Sequence, residues 1–165
     1  MKLIEIWNTD KDKSYDLCMS FPQQENGFEN SCYGISREGF DEYILRCKDS
    51  SLGINLKEGY VPDTKYVLAD DEGNYVGIFK LRHRLNEKLA DGAGHIGYGI
   101  RREYRGKGYA AEGLRLCLEK CKEKGIREVY LSCNKDNIAS YKTQLKNGAV
   151  LHHEDDKEYY TRIYR

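Results

Sequence analysis

Apolar and polar residues alternate through KLIEIW, residues 2 to 7, the period of a strand with one buried face. The spacing then lengthens to that of a helix across 10 to 20 and again across 36 to 47, with a polar link containing Pro and Gly between them. KYVLA (65 to 69) and YVGIFKL (75 to 81) flank Asp70-Asp71-Glu72-Gly73-Asn74, whose turn chemistry predicts a hairpin. Residues 84 to 94 carry no period and read as a surface loop ahead of a strand, HIGYGIR, at 95 to 101. In that strand Ile96, Tyr98 and Ile100 share one face, and His95, Gly97 and Gly99 the other. Glycine weakens a strand, so the nearly bare face predicts a bulge, or another backbone or a ligand lying against it.

From Gly108 the helical period returns. Ala110, Leu114, Cys117, Leu118 and Cys121 fall on one side, and Gly125 supplies the stop. VYLSC (129 to 133) reads as a strand, 137 to 147 as a helix ending at Asn147-Gly148, and 149 to 154 with 158 to 164 as a closing hairpin. The chain shows no repeat and no linker, and 165 residues suit one domain spanning 1–165.

Charge narrows the partners. Lys plus Arg and Asp plus Glu both number 27, so no global field recruits nucleic acid or an anionic membrane, and a cationic site has to be local. The apolar run at the N-terminus is too short for a signal-peptide core, and no stretch has membrane length, which predicts a soluble, cytoplasmic protein. The six cysteines form no C-x-x-C pair, and Cys117 and Cys121 stand at helical spacing. Reduced, buried thiols are expected, with no disulfide framework and no metal.

The local cationic site is RREYRGKGYA, 101 to 110. Arg101, Arg102, Arg105 and Lys107 surround Gly106 and Gly108 where the longest helix starts, and bare backbone beside a helix N-terminus suits an anion. A dinucleotide fingerprint competes, since Gly106, Gly108 and Ala111 fit G-x-G-x-x-G/A and Asp136 follows the next strand. Against it, residues 101 to 104 separate the glycines from their strand and no second βαβ unit follows. A P-loop is excluded because Gly108 follows Lys107.

Arg105, Gly108 and Ala110 satisfy R/Q-x-x-G-x-G/A, and with the element order the chain resembles the Gcn5-related N-acetyltransferase (GNAT) superfamily over nearly its whole length. LRHRLN (81 to 86) and GHIGYGIRREYRGKGYA (94 to 110) are similar to a bacterial subgroup of predicted acetyltransferases. The resemblance implies an α+β acyltransferase fold, a twisted, mixed and mostly antiparallel sheet of about six or seven strands with about four helices. It implies acetyl-CoA as co-substrate, with the backbone of Arg105, Gly106, Lys107, Gly108, Tyr109 and Ala110 cradling the pyrophosphate. Ile100 and Arg102 would meet the pantetheine arm, and strands 95 to 102 and 129 to 133 would splay to admit it. Asn137 and Ser140 correspond to positions that bond the same arm, and each can equally cap or pack a helix.

Acetyl transfer to an amine needs a neutral amine, a donor for the charge that builds on the thioester, and often an acid for the thiolate. His95 stands ten residues before Arg105, near the position of a glutamate base in relatives, and reads either as a base or as a polar residue bonded to a neighbouring loop. The usual tyrosine acid in N-x-x-A-x-x-x-Y-x-x-x-G is here Gln144, with Tyr141 one turn earlier as a substitute or an ordinary packed tyrosine. Cys133 reads as a buried strand cysteine rather than a covalent carrier. Arg82 and His83 fit an exposed strand end as well as an acceptor site.

The function expected from the resemblance is N-acetyl transfer to a primary amine of a small molecule or peptide by direct attack in a ternary complex. A catalytically silent acyl-CoA-binding module is the alternative. A homodimer is expected only because relatives often dimerise.

Overall fold

The computed structural model describes residues 1–165. The alternating opening forms β1 (Lys2–Glu5), and a single 3-10 turn, Ile6–Asn8, leads into α1 (Lys11–Met19). Asp10 starts that helix by accepting the Lys13 N–H at 2.9 Å. The polar link then folds into a small hairpin, β2 (Gln24–Glu25) and β3 (Phe28–Glu29), where no regular structure was expected. Asn26 at φ 51° and Gly27 at φ 81° supply the two positive angles such a tight turn needs.

The second helix, α2 (Phe40–Leu52), starts and ends later than the 36 to 47 predicted. Its buried face is Phe40, Tyr43 and Cys47, and Gly53, left-handed at φ 73°, ends it. The hairpin of β4 (Asp63–Ala69) and β5 (Tyr75–Arg82) forms as expected. The presumed loop from 84 to 94 contains one helical turn, α3 (Glu87–Ala90), capped by the Asn86 side chain on the Leu89 N–H. There follow β6 (Ile96–Ile100), a 3-10 turn at Arg102–Tyr104, α4 (Tyr109–Glu123), β7 (Glu128–Asn134), α5 (Ile138–Lys146), β8 (Val150–Glu154) and β9 (Glu158–Tyr164).

The fold is α+β, with two antiparallel sheets ordered β1-β4-β5-β6 and β7-β9-β8. Strand alternation divides the first sheet's side chains between two cores. Tyr66, Leu68, Phe79 and Leu81 pack beneath Leu114, Cys117, Leu118 and Cys121 of α4, while Val67 and Ile78 face Leu17, Cys18 and Phe40 under α1 and α2. Each fully buried Leu or Phe contributes roughly 1.5–3 kcal/mol. Gly113 lets α4 settle onto the sheet, because a Cβ there would lie 2.2 Å from the Phe79 ring. All six cysteines are buried, as expected.

The two sheets share a core but are hydrogen-bonded to each other at one point. The His95 N–H donates to the Tyr130 carbonyl at 2.7 Å, and the Tyr130 N–H donates back to His95 Nδ1 at 3.0 Å. A side chain thus completes a pair of bonds that two strands would normally exchange through their backbones, and beyond it β6 and β7 are unpaired. Gly94 makes the approach feasible, since a Cβ would come within 2.2 Å of the Tyr130 oxygen.

This geometry corrects the expectation that His95 projects onto the glycine face as a base. The ring is buried, edge-on to Tyr130 at 5.7 Å, and lines neither of the large cavities described below. Burial first, then Arg162 and Arg82, pushes its pKa from 6.5 down to about 4. Because the folded value is depressed, the stability carried by the neutral ring is present above pH 6.5 and is lost as pH falls through about 4.

His95→Ala should therefore cost about 1–3 kcal/mol at pH 7.5, by leaving the Tyr130 N–H unpaired. Its thermal midpoint should fall less between pH 6.5 and 4 than that of the wild type. Parallel melting curves through that window would show that the ring does not titrate as a buried neutral group.

Candidate active site

Two cavities occupy the gap that opens beyond the His95 joint. The first, about 430 Å³, lies between the end of β6, the start of α4 and α5, and is covered by Phe21 after α1 and by Asn26 and Phe28 of the β2–β3 hairpin. Gly106 (φ 74°) and Gly108 (φ 84°) both sit in the left-handed region, with nothing within 4 Å of where a Cβ would be. None of the backbone N–H groups from Gly106 to Ala111 has an acceptor within the protein, whereas the Glu112 N–H already bonds the Gly108 carbonyl. A row of unpartnered amides at a helix N-terminus suits a diphosphate, which offers several oxygens and negative charge.

Strand β6 presents its free edge to the same space. The Arg101 N–H bonds Val76 O, so antiparallel alternation turns the main-chain groups of Tyr98 and Ile100 away from β5 and toward the gap. The Ile100 carbonyl is occupied by Arg105 Nε at 2.9 Å, which leaves the Ile100 N–H at that edge. Ile100 thus lines the first cavity with its N–H on the edge that faces the gap.

The cationic residues are used differently from one another. Arg105 lines the cavity, but its guanidinium grips Glu25 of the hairpin and holds that carboxyl below the usual carboxylate range. Its side chain locks the roof rather than pointing at the cradle. Arg102 and Lys107 do not line the cavity, and Lys107 Nζ lies 5.5 Å from the Tyr104 ring. Tyr109 and Ala110 do line it, together with Lys142 and Lys146 of α5. Sequence reasoning missed those two lysines, although their i,i+4 spacing on the helix after Asn137 puts both on one face.

A second cavity, about 470 Å³, lies on the far side of Tyr98 and Ser140. Both cavities are lined by Asn26, Phe28, Tyr98, Asn137 and Ser140, so those residues mark where the two spaces meet. Asn137 caps α5 by accepting the Ser140 N–H at 3.2 Å and also donates to Asn26 O at 3.3 Å. Of the roles considered for it the helix cap is the one formed, and the same residue lines both cavities.

The tyrosine at this meeting point is Tyr98, not Tyr141. Tyr141 stacks on Tyr159 with centroids 4.3 Å apart and lines neither cavity, which corrects its reading as an acid facing the cofactor. Gln144 is buried, accepting from Thr161 Oγ1 at 2.8 Å and donating to Ser132 O at 3.1 Å. It ties α5 to the second sheet. Tyr98 comes from the opposite wall, stacked on Phe79 at 5.3 Å, and its hydroxyl lies 2.8 Å from Ser140 Oγ. Burial raises its pKa to about 12. A signal was present in the sequence, since Tyr98 is the one side chain between the two glycines of β6.

The remaining candidates separate cleanly. Arg82 lines the second cavity, while His83 bonds Thr64 Oγ1 at 2.8 Å and lines neither. Cys133 lines the second cavity with its thiol pushed up to about 11 by burial. No group of three or more His, Cys, Asp or Glu is placed to hold a metal ion, and no helix is long and apolar enough to cross a membrane.

This arrangement has counterparts among known proteins. The chain resembles the ribosomal-protein-S5-alanine acetyltransferase of Vibrio fischeri (19% identity, 99% of this chain and 91% of that one, TM-score 0.64). It is similarly close to the spermidine N-acetyltransferase of Vibrio cholerae solved with CoA and spermine (17% identity, 99% and 94%, TM-score 0.64). The N-acetyltransferase PseH of Campylobacter jejuni, solved with acetyl coenzyme A, matches at 13% identity, 99% and 98%, TM-score 0.63. At these identities the likeness is one of fold. No curated protein sequence matches the chain significantly. A family model described as the acetyltransferase (GNAT) domain matches residues 9–150, which covers the amide cradle, the whole first cavity, every residue of the second except Glu158, and β2 to β7, and the chain belongs to the GNAT acetyltransferase family.

Proposed function

We propose that the protein transfers the acetyl group of acetyl-CoA to a primary amine by direct attack in a ternary complex. The observation that carries this reading is the row of unpartnered amides from Gly106 to Ala111, beside a cavity that shares Tyr98 and Ser140 with a second one. The diphosphate would lie on those amides, with the Ile100 N–H at the β6 edge toward the pantetheine arm and Lys142 and Lys146 adding positive charge to the α5 wall. Bound there, the coenzyme supplies an acetyl thioester at the junction of the two cavities.

An acceptor in the second cavity would then meet the thioester from the far side. Its amine nitrogen forms the new N–C bond as the C–S bond breaks, its surplus proton leaves to a carboxylate or water, and the thiolate takes up a proton. Glu29 and Glu158 are the carboxylates on that cavity's wall. Tyr98 suits the role of hydrogen-bond donor to the charge that builds on the thioester. A phenol at about 12 keeps its proton at neutral pH, and a thiol near ~8.5 is too acidic to take it fully, so the proton is shared rather than handed over. Cys133 supports direct attack over a covalent relay, since a thiol raised to about 11 offers almost no thiolate at neutral pH.

Gly108→Glu should abolish coenzyme A binding in calorimetry while leaving the folded circular-dichroism spectrum in place. Its side chain would fill the open cradle, at a φ of 84° that only glycine adopts easily, and would set like charge against the diphosphate. Unchanged affinity would refute the cradle. With acetyl-CoA and an amine panel, turnover is expected, and binding without turnover on any amine would instead favour a silent acyl-CoA-binding module.

Tyr98→Phe should lower kcat by about 10²-fold or more, the cost of removing one preorganised donor, and should change KM for acetyl-CoA little. Tyr141→Phe should stay within about twofold of wild type, as expected for a substitution that keeps a stacked ring. The reverse ranking would return the role to α5.

A further inference from the structure

The floor of the second cavity is where β4 and β5 turn one face toward α2. Lys65 and Lys80 are directly opposed across the two strands, and Arg82 follows Lys80 on the same face of β5. Like charges in opposed positions destabilise a sheet, so the arrangement needs compensation. The protein supplies little. Lys80 pairs with Asp63 at 3.5 Å, and neither Lys65 nor Arg82 makes an ion pair. Lys65 Nζ instead rests 3.7 Å from Cys47 Sγ and 4.9 Å from the centre of the Tyr43 ring. Arg82 spends one nitrogen on the Gly94 carbonyl at 3.0 Å.

These cations are held in place rather than solvated at a rim. Burial is the first cause lowering the pKa of both Lys80 and Arg82, and Asp63, which offsets it for both, is the one carboxylate ion-paired to any of the three cations, so the floor keeps an excess of positive charge. The carboxylates that line the cavity lie on different elements, Glu29 on β3 and Glu158 on β9. Glu158 already accepts from the Tyr160 hydroxyl at 3.0 Å. The cavity is therefore polarised, with cations on the sheet floor and carboxylates on two of its walls.

We propose that the acceptor is an amine that also carries a carboxylate or phosphate group, and that Lys65, Lys80 and Arg82 hold that anionic group. The inference rests on the acetyltransferase reading and narrows it to a class of acceptor. An ammonium group entering the cavity meets Glu29 or Glu158, while an anion on the same molecule completes the unpaired charges below. A polycation would set its own charges against all three floor residues, so polyamines are excluded as good acceptors.

Matched pairs that differ only in the anion test this: phenylalanine against phenethylamine, β-alanine against ethylamine, and glucosamine 6-phosphate against glucosamine, with spermidine as the polycation. In at least one pair kcat/KM should favour the anionic member by about tenfold or more, the size of one charge-assisted contact. The amino acid pairs and the sugar pair separate carboxylate from phosphate. Lys65→Met and Arg82→Met should each raise KM for the preferred anionic amine about tenfold and KM for acetyl-CoA less than twofold.

Turnover that favours the neutral amines or spermidine, or variants that preserve the anionic preference, would overturn the inference and leave the acetyltransferase reading standing. For the opposite failure, each anionic amine is titrated in a thermal-shift assay against protein saturated with coenzyme A. A rise in midpoint that Lys65→Met abolishes, without turnover on any amine, would support the anion site and refute acetyl transfer. The absence of both turnover and shift would refute both.

Discussion

Everything in the site follows from two sheets that share a core but exchange hydrogen bonds at one end only. Main-chain groups at a strand edge must find partners, and the edge of β6 finds a strand partner only at Tyr130, through the backbone and ring of His95. Past that point the edge is unpaired over the stretch that a peptide-like chain could follow. The joint fixes where the gap begins, and α4 fixes where it ends. Between them the fold leaves a channel rather than a continuous seven-stranded sheet.

Glycine then decides what fills the channel walls. Gly99 is closed by aromatics, since a Cβ there would come within 3.0 Å of Phe21 and 3.3 Å of Phe28, and this lets the hairpin roof settle onto β6. Gly97 has open space and lines the second cavity, so the bare face of the strand serves two purposes two residues apart. Arg105 completes the roof by pairing with Glu25 across 80 positions of sequence. The motif arginine is thus a brace, and the groups left without partners beside it are backbone amides, which no side-chain substitution removes directly. Tyr98 projects from the other face of the same strand, so one five-residue element supplies the edge, the hydroxyl and the floor contact of both cavities.

Much of this was legible in the residues, and the reasons differ from element to element. The alternation in β4, β5 and β6 and the period of α4 are strong because each packs against a core on a fixed face, and the Gly106 to Ala110 loop carries its geometry in its glycines. The β2–β3 hairpin was missed although Asn26-Gly27 is a turn signal, because its strands are only two residues each and show no period. The α2 boundaries slipped because polar residues from 36 to 39 fit a helix locally, while burial begins only at Phe40. His95 and Tyr141 illustrate a different limit. Spacing from a motif gives position along a chain, whereas their roles depend on partners far away in sequence, Tyr130 and Tyr159. The same holds for Lys65, Lys80 and Arg82, which become a cluster only once β4 and β5 are in register.

The most direct test of the account observes the amides themselves. In a coenzyme A titration followed by ¹⁵N–¹H correlation spectra, the backbone resonances of Gly106 through Ala111 should show the largest shifts, with Ile100 and Tyr98 moving alongside them. Saturable binding that leaves those amides in place, and perturbs some other surface, would contradict the claim that exposed main chain at the start of α4 holds the diphosphate.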